Sequence, residues 1–399
     1  MHNNANQISM EDFEKVMFLR DISESCICTD RMLATLVKGV KRGKWYSLMD
    51  KVLSRANIEV STNKVLKNGG APGIDSITVE RYASNREHYT EKLIEELRCN
   101  VYNPKPVKRI YIAKTGSREK RPLGIPAVKD RIVQKALLNV IEPIFEKDFS
   151  GCSYGFRPKR SCKDALKEVD YLIKNGFSYV LDADIKGYFD SISHEKVLKL
   201  IEDKITDSRI LELVKKFLRQ DVMYEMKHWT PENGTPQGGI ISPLLANIYL
   251  DGLDKLIKNS GYRMIRYADD FVILCKSKSE TENALNIVEQ WMSEMELTLN
   301  IDKTITVDMN SVGASFDFLG YSFLNSKNRI KRVPSKKSLR KFRDNIRPYV
   351  KKCNGRSLDC IIAKIKPIMR GWFEYYKHSW KWVFLTDKSL FILSSASLE

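Results

Sequence analysis

Met264-Ile265-Arg266-Tyr267-Ala268-Asp269-Asp270-Phe271-Val272-Ile273-Leu274 sets two adjacent acids between two runs of strand-forming residues. β-Branched, aromatic and long aliphatic side chains on both sides predict two strands over 263–275, bent about Ala268-Asp269. An Asp-Asp pair at a turn is ordinary by itself, because the short Asp side chain suits turns. Core-type strands on both sides make it less ordinary, since acids held against a buried sheet are costly unless a cation meets them. A second acid-bearing segment, 177–185, is short, β-rich and reaches Asp184 near its end. One Asp at a strand end and two in an adjoining hairpin offer the hard oxygen donors that Mg2+ or Mn2+ takes. Asp182 shares Asp184's side of the strand and is a candidate auxiliary acid, though it reads more readily as a solvated or hydrogen-bonded neighbour. Asp190 reads as the cap of the helix that follows.

Outward from these strands, 107–113 alternates as a half-exposed strand, and a Lys/Arg-rich hairpin leads from it to Arg121-Pro122-Leu123-Gly124-Ile125-Pro126. Helical spacing covers 80–98 and 128–146, a short helix is expected over 45–56, and Asn68-Gly69-Gly70-Ala71-Pro72-Gly73 stops regular structure. Another β-like pair lies at 316–323. Leu339, Phe342, Ile346 and Tyr349, then Leu358, Ile361, Ile362, Ile365, Ile368 and Met369, recur as the apolar faces of two helices. Residues 1–44 read as polar and irregular before turning basic near Lys38. The sketch is a mixed α/β (α+β) body followed by a basic helical module.

The chain has 399 residues and a formal charge of +17. Between Lys327 and Lys381 stand 18 Lys or Arg and three acids, so nearly all of the surplus sits in the helical module. Such regional basicity favours a nucleic-acid partner. The eight cysteines show no metal-ligand spacing and read as reduced thiols. No apolar run reaches the roughly 18 residues that span a bilayer, so the expectation is a cytoplasmic protein with no membrane partner.

Seven stretches together resemble the group II intron-encoded reverse transcriptases. They are Asn68-Gly69-Gly70-Ala71-Pro72-Gly73-Ile74-Asp75, the Arg121–Pro126 string, Tyr154-Gly155-Phe156-Arg157-Pro158, Asp184-Ile185-Lys186-Gly187-Tyr188-Phe189-Asp190, residues 234–247 around Thr235-Pro236-Gln237-Gly238-Gly239, Tyr267-Ala268-Asp269-Asp270, and Phe318-Leu319-Gly320-Tyr321. They occur in that family's order, from about residue 45 to 380. The resemblance implies a right-hand polymerase. Residues 1–44 would be an N-terminal extension, 45–175 the fingers, 176–325 the palm, and 326–399 a basic helical thumb akin to the maturase-specific domain. It also implies an RNA-directed DNA polymerase that uses two Mg2+ ions, or Mn2+, to add dNTPs to a DNA primer on an RNA template, with a structured intron RNA as a further partner.

By the same resemblance, Asp184, Asp269 and Asp270 would bind the metals, and Ile185 would add a backbone carbonyl. Phe189 matches the steric gate that selects dNTPs, and Gln237 the residue against the incoming nucleotide. Lys114 and Arg121 match the basic pair on the triphosphate, and Lys303 the lysine near the pyrophosphate. Phe318, Leu319 and Gly320 match the primer grip. Arg157 fits either a template contact or a structural ion pair. Trp372, Phe373, Tyr375 and Tyr376 read as core more than as base-stacking residues. Many relatives continue into a DNA-binding segment and a His/Cys endonuclease; neither pattern precedes Glu399, so an enzyme without that endonuclease, its thumb truncated or repurposed, is expected. The competing readings are a reassigned cellular reverse transcriptase in phage defence or DNA repair and a non-enzymatic RNA-binding splicing cofactor. Intact Asp184, Asp269, Asp270 and Gln237 speak against the last.

Overall fold

The computed structural model describes residues 10–25, 27–40, 43–113, 120–327, 329–351 and 357–380. Its strands are β1 (Val107–Ala113), β2 (Lys120–Ile125), β3 (Tyr179–Asp184), β4 (Val222–Tyr224), β5 (Lys227–Trp229), β6 (Arg263–Tyr267), β7 (Asp270–Cys275), β8 (Ile305–Asp308), β9 (Ser315–Phe318), β10 (Tyr321–Ser326) and β11 (Arg329–Pro334). They form three sheets, ordered β2-β1-β4-β5, β6-β7-β3-β8 and β11-β10-β9. The fold is the right-hand polymerase type, with fingers, a palm built on an antiparallel sheet, and a helical thumb.

The central sheet, β6-β7-β3-β8, is antiparallel throughout, and its inner strands β7 and β3 are covered on both faces. Leu181, Ala183, Phe271 and Ile273 join the main core, which includes Leu253 and Ile257 of the helix Ser242–Asn259 and Ala284 and Val288 of the helix Lys278–Glu294. The alternating residues Val180, Ile265, Val272 and Leu274 join a second core with Leu166 and Val169 of the helix Cys162–Lys174 and Phe316 and Phe323 of the third sheet. Burial on both faces explains why Phe271–Cys275 reads as an unbroken apolar run rather than an alternation. Each such buried side chain contributes roughly 1.5–3 kcal/mol, so the strands that carry the acids are anchored from both sides.

Several expectations are met closely. The helix Val128–Glu146 has the range read from its spacing, and strands fall where 107–113, 177–185, 263–275 and 316–323 predicted them. Others are corrected. The segment read as irregular contains helices Met10–Ile22 and Asp30–Lys38, the second burying Met32, Leu33 and Leu36 in the main core. The short helix expected over 45–56 is instead Met49–Leu53 followed by Arg55–Asn68, with Ser54 capping the second by accepting from Asn57 N. Helicity runs on to Asn68 because Asn57, Ile58 and Val65 are drawn into the core, Asn57 donating to Ala136 O at 2.9 Å. Arg329–Pro334 is a third antiparallel strand beside β10, so the basic helices begin only at Lys336.

Those helices, Lys336–Lys351 and Leu358–Tyr376, meet through Leu339, Phe342, Ile346, Ile368, Met369 and Trp372. Trp372, Phe373, Tyr375 and Tyr376 pack inward, as expected of core aromatics. The final twenty residues, on which the expectation of a truncated thumb rested, lie outside the described residues apart from Trp380.

Candidate active site

The hairpin between β6 and β7 pairs Tyr267 with Asp270 and leaves Ala268 and Asp269 as a two-residue turn. Ala268 has φ +61°, a left-handed conformation that glycine usually supplies in such turns. The support comes from below. Arg266 Nη1 donates to Ala268 O at 2.9 Å and to Asn247 Oδ1 at 3.0 Å, while Nε donates to Asp254 Oδ1 at 2.7 Å. Arg266 and Asp254 side chains are 1% and 0% exposed. Burial opposes the Arg266 charge, but Asp254's carboxylate outweighs it and raises the pKa. Asn247 Nδ2 donates to Gly155 O at 2.9 Å, and Gly155 lies so close that a Cβ there would be 2.3 Å from Ala268 N. Sequence reasoning passed over this Arg266-Asp254-Asn247 network. Its signal was a lone charge at Arg266, on the face of β6 where Met264 is buried in the core.

On the neighbouring strand Asp184 lies directly opposite Asp270 in antiparallel register, so the two side chains share a face, with Asp269 one residue earlier at the turn. Asp270 is pushed up to about 7 by burial and by the charges of Asp269 and Asp184, against which Lys303 and Lys337 act. Asp269 is raised chiefly by burial, with Asp184 adding and Arg121 and Lys303 opposing. Asp182 is pushed up to about 8 by burial and by Asp270, Asp317 and Asp184. Asp182 is half-buried and lies between Val180 and Asp184 on the strand face that packs into the second core, with carboxylates as its charged neighbours. Asp190 does not cap the next helix. It lies within the short helix Tyr188–Ser191, and Ser193 takes the N-cap position of His194–Glu202.

Asp184 is ion-paired with Lys303, and Asn300 Nδ2 stands 3.4 Å from the same carboxylate oxygen. Turned that way, it does not close a cluster with Asp269 and Asp270; among the described residues no three His, Cys, Asp or Glu side chains are gathered to hold a metal. What the fold supplies is adjacency: three acids on neighbouring strand ends, each of the hairpin pair feeling the charge of Asp184. Ile185 follows in an isolated bridge with Leu299.

The other candidates come together around this point. Phe189 O accepts from Thr235 N at 2.7 Å, which ties the strand-end turn to the loop carrying Gln237. The Phe189 ring packs against the main core and meets Phe156 edge-on, with centroids 6.3 Å apart. Gln237 O accepts from Gly124 N at 2.6 Å. A side chain at Gly238, φ +118°, would sit 2.2 Å from Gly124 O, so glycine is what lets this loop lie on β2. Arg121, exposed on β2, is near enough for its charge to act on Asp269. Lys114 lies outside the described residues. Arg157 is settled as structural: 4% exposed, it pairs with Glu146 at 2.8 Å and donates to Ser150 O and Ser153 O.

Phe318 and Tyr321 pair across a turn in which Leu319 and Gly320 have φ +49° and +78°. The basic helices hold this turn. Ser338 Oγ donates to Gly320 O at 2.9 Å, and Tyr375 Oη to Leu319 O at 2.7 Å.

Acids at a strand end and in an abutting hairpin, a glycine-bearing loop against them and a basic helical pair beyond are the parts of a reverse-transcriptase fold. Reverse transcriptase (RNA-dependent DNA polymerase) is the family model that matches residues 112–323, and the group II intron, maturase-specific domain matches 339–387. The chain belongs to the group II intron-encoded reverse transcriptase and maturase family. It is 41% identical over 191 residues to group II intron-encoded protein LtrA of Lactococcus lactis subsp. cremoris, covering 48% of this chain and 31% of that one. It is 32% identical over 302 residues to protein YkfC of Escherichia coli (strain K12), covering 66% and 78%. A 91 kDa protein in a cob intron of Schizosaccharomyces pombe is 38% identical over 212 residues, covering 53% and 26%. A chain of the partial Cas6-RT-Cas1–Cas2 complex is similar over 62% of this chain and 41% of its own, with 27% identity and a TM-score of 0.40. The Lactococcus alignment spans 31% of that relative's length.

Proposed function

We propose that this chain adds dNTPs to a DNA primer on an RNA template, with Asp184, Asp269 and Asp270 holding two divalent cations, and that it also binds a structured intron RNA. The observation that carries the reading is the register of Asp184 against Asp270 with Asp269 at the adjoining turn. Half-buried acids, two of them with pKa values raised by burial and by the charge of Asp184, are the hard-oxygen set that fits Mg2+ or Mn2+. Bound there, the ions supply a lowered barrier to 3′-hydroxyl attack and neutralise the leaving pyrophosphate.

The rest belongs to the chain. Phe189 fills the space a ribose 2′-hydroxyl needs. Gln237, its backbone fixed to Gly124, lies against the incoming base pair. Arg121 meets the triphosphate through charge-assisted hydrogen bonds. Lys303, paired with Asp184 in this conformation, exchanges that partner for the pyrophosphate and can deliver a proton to it. The basic helices from Lys336 lie along the duplex and grip RNA through phosphates, while tethering the turn of Leu319 and Gly320 that braces the primer end. The maturase-domain match and the intron-encoded relatives support the intron-RNA role over reassignment to defence or repair.

The test is primer extension on an RNA template with Mg2+ and dNTPs. Extension by the wild type and none by Asp269→Asn are expected. An undiminished Asp269→Asn enzyme would overturn the site.

A further inference from the structure

Phe156 is 49% exposed, while Gly155 and Arg157 on either side of it are buried. Its φ of +58° is left-handed, a conformation that is an outlier for a bulky side chain and that persists only where the surroundings impose it. Here they do. Asn247 Nδ2 donates to Gly155 O at 2.9 Å, and Tyr154 N donates to Arg266 O at 2.8 Å. Arg157 is locked by Glu146, Ser150 and Ser153. Lys159, also left-handed at φ +57°, is ion-paired with Asp21 of the helix Met10–Ile22. The chain is pinned before and after residue 156, and the ring is presented outward.

What that ring touches is specific. Phe156 joins none of the three apolar clusters formed by the described residues. Its one aromatic contact among them is Phe189, with centroids 6.3 Å apart and planes at 80°. Phe189 is itself half-buried, and its other aromatic neighbour, Tyr188, is held in the core with its hydroxyl donating to Ala246 O at 2.5 Å. The Phe189 ring thus has one neighbour locked from within and one offered from a strained loop. A half-exposed ring on a left-handed backbone returns little stability through burial, so the contact with Phe189 is the consequence that remains.

The same loop is set against the acid hairpin. A Cβ on Gly155 would lie 2.3 Å from Ala268 N, so two consecutive residues reach from the turn that carries Asp269 to the ring of Phe189. Phe189 stands five residues beyond Asp184, and its carbonyl is already tied to Thr235 N. Its backbone is therefore fixed from one side, while its ring keeps rotamer freedom unless something packs on it. Excluding one hydroxyl demands that the ring stay in place, since a misplacement of about 1 Å at a reacting site is enough to alter rates strongly.

We infer that Phe156 is a second determinant of sugar selection, a positioning residue that holds the Phe189 ring by edge contact and sets it relative to the acid hairpin through Gly155. The inference rests on the reading of Phe189 as the sugar gate. The test is incorporation of one dNTP and of the matching rNTP on an RNA template with a DNA primer, measured as kcat and KM for each sugar. Wild type, Phe156→Ala, Phe189→Ala and the double variant are compared. Alanine at 156 keeps the left-handed strain and removes only the ring.

Phe156→Ala should lower the dNTP-to-rNTP ratio of kcat/KM by about two- to tenfold, the range that an edge-on aromatic pair is worth, chiefly through a fall in the rNTP KM. Phe156→Tyr, which keeps the ring, should restore the ratio. The double variant should discriminate as Phe189→Ala does alone, because Phe156 acts through that ring. Tyr171→Ala, at an aromatic 60% exposed on the helix Cys162–Lys174, should leave the ratio where it was. An unchanged ratio in Phe156→Ala, even with both sugars slowed alike, would make the ring a structural prop and overturn the inference. Single-variant effects that multiply in the double variant would overturn it too, since the two rings would then act independently. Failure of the gate reading shows separately, as a wild-type ratio in Phe189→Ala, and failure of the polymerase reading as no extension by the wild type.

Discussion

Arg266 offers the sharpest test of how the acid hairpin is held. Replacing Asp254 by Leu leaves a guanidinium that is 1% exposed without its carboxylate, and a buried charge stripped of its partner costs about 3–5 kcal/mol. Urea unfolding of Asp254→Leu should show a loss in that range with an unchanged m-value. Removing both charges separates stability from positioning. The double variant Arg266→Met/Asp254→Leu no longer buries an unpaired ion, and exchanging a whole buried pair for apolar residues is often close to neutral. What remains is the loss of the donor to Ala268 O and Asn247 Oδ1, about 1–3 kcal/mol for each orphaned acceptor. The double variant should therefore recover part of its stability while primer extension stays low, because Ala268 at φ +61° has lost the bond that ties it down. Wild-type extension by the double variant would refute the argument, as the turn would then be holding itself. So would a loss below about 1 kcal/mol for Asp254→Leu, a value typical of exposed pairs.

Gly155→Ala should cut extension without changing RNA binding, since its Cβ would lie 2.3 Å from Ala268 N; an unaffected rate would mean the contact yields freely. Phe189→Ala should relax discrimination against rNTPs, measured as the ratio of kcat/KM for the two sugars; an unchanged ratio returns Phe189 to the core it partly joins. RNA affinity should fall steeply with added salt as the basic helices release counterions, and a flat salt response would remove them from the interface. Glu142 is pushed up to about 7 by burial, with Lys135 opposing. Its folded pKa thus exceeds the unfolded one, so its contribution is full below about pH 4.5 and is lost as pH rises through about 7. Glu142→Gln should be more stable than wild type at pH 8, by about 1–3 kcal/mol, and no more stable at pH 4; the same difference at both pH values would exclude this cause.

Much of the catalytic half was legible because its strands advertise themselves. Phe271–Cys275 is apolar without interruption because both faces are covered, and acids beside such a run are conspicuous. The register of Asp184 on Asp270 was beyond sequence, since a slip of one residue turns every side chain to the other face. Hairpin β4-β5 escaped because three-residue strands such as Val222–Tyr224 carry too little periodicity to be seen, and pairing with β1 is what makes them strands. Helix Asp30–Lys38 was missed although its signals are local: Thr29 accepts from Met32 N at the N-cap, Asp30 opens the first turn, and Met32, Leu33 and Leu36 recur at helical spacing.

Charge explains why the pieces of the site were easier to find than its working geometry. Asp182, Asp269 and Asp270 all have raised pKa values, with burial the largest cause in each case, while Lys303 is spent on Asp184. Among the described residues the cations that act on Asp269 and Asp270, namely Arg121, Lys303 and Lys337, do not offset burial and the neighbouring carboxylates, and Arg266, buried beneath the hairpin, is already committed to Asp254. A fold that fixes its turn with a neutral, internally paired network keeps the acids above it in want of positive charge. Any divalent ion they bind should then stabilise the native chain by about RT ln(1 + [L]/Kd). A thermal shift with Mg2+ in the wild type that disappears in Asp269→Asn would tie that deficit to the hairpin, and an equal shift in both would place the ions elsewhere.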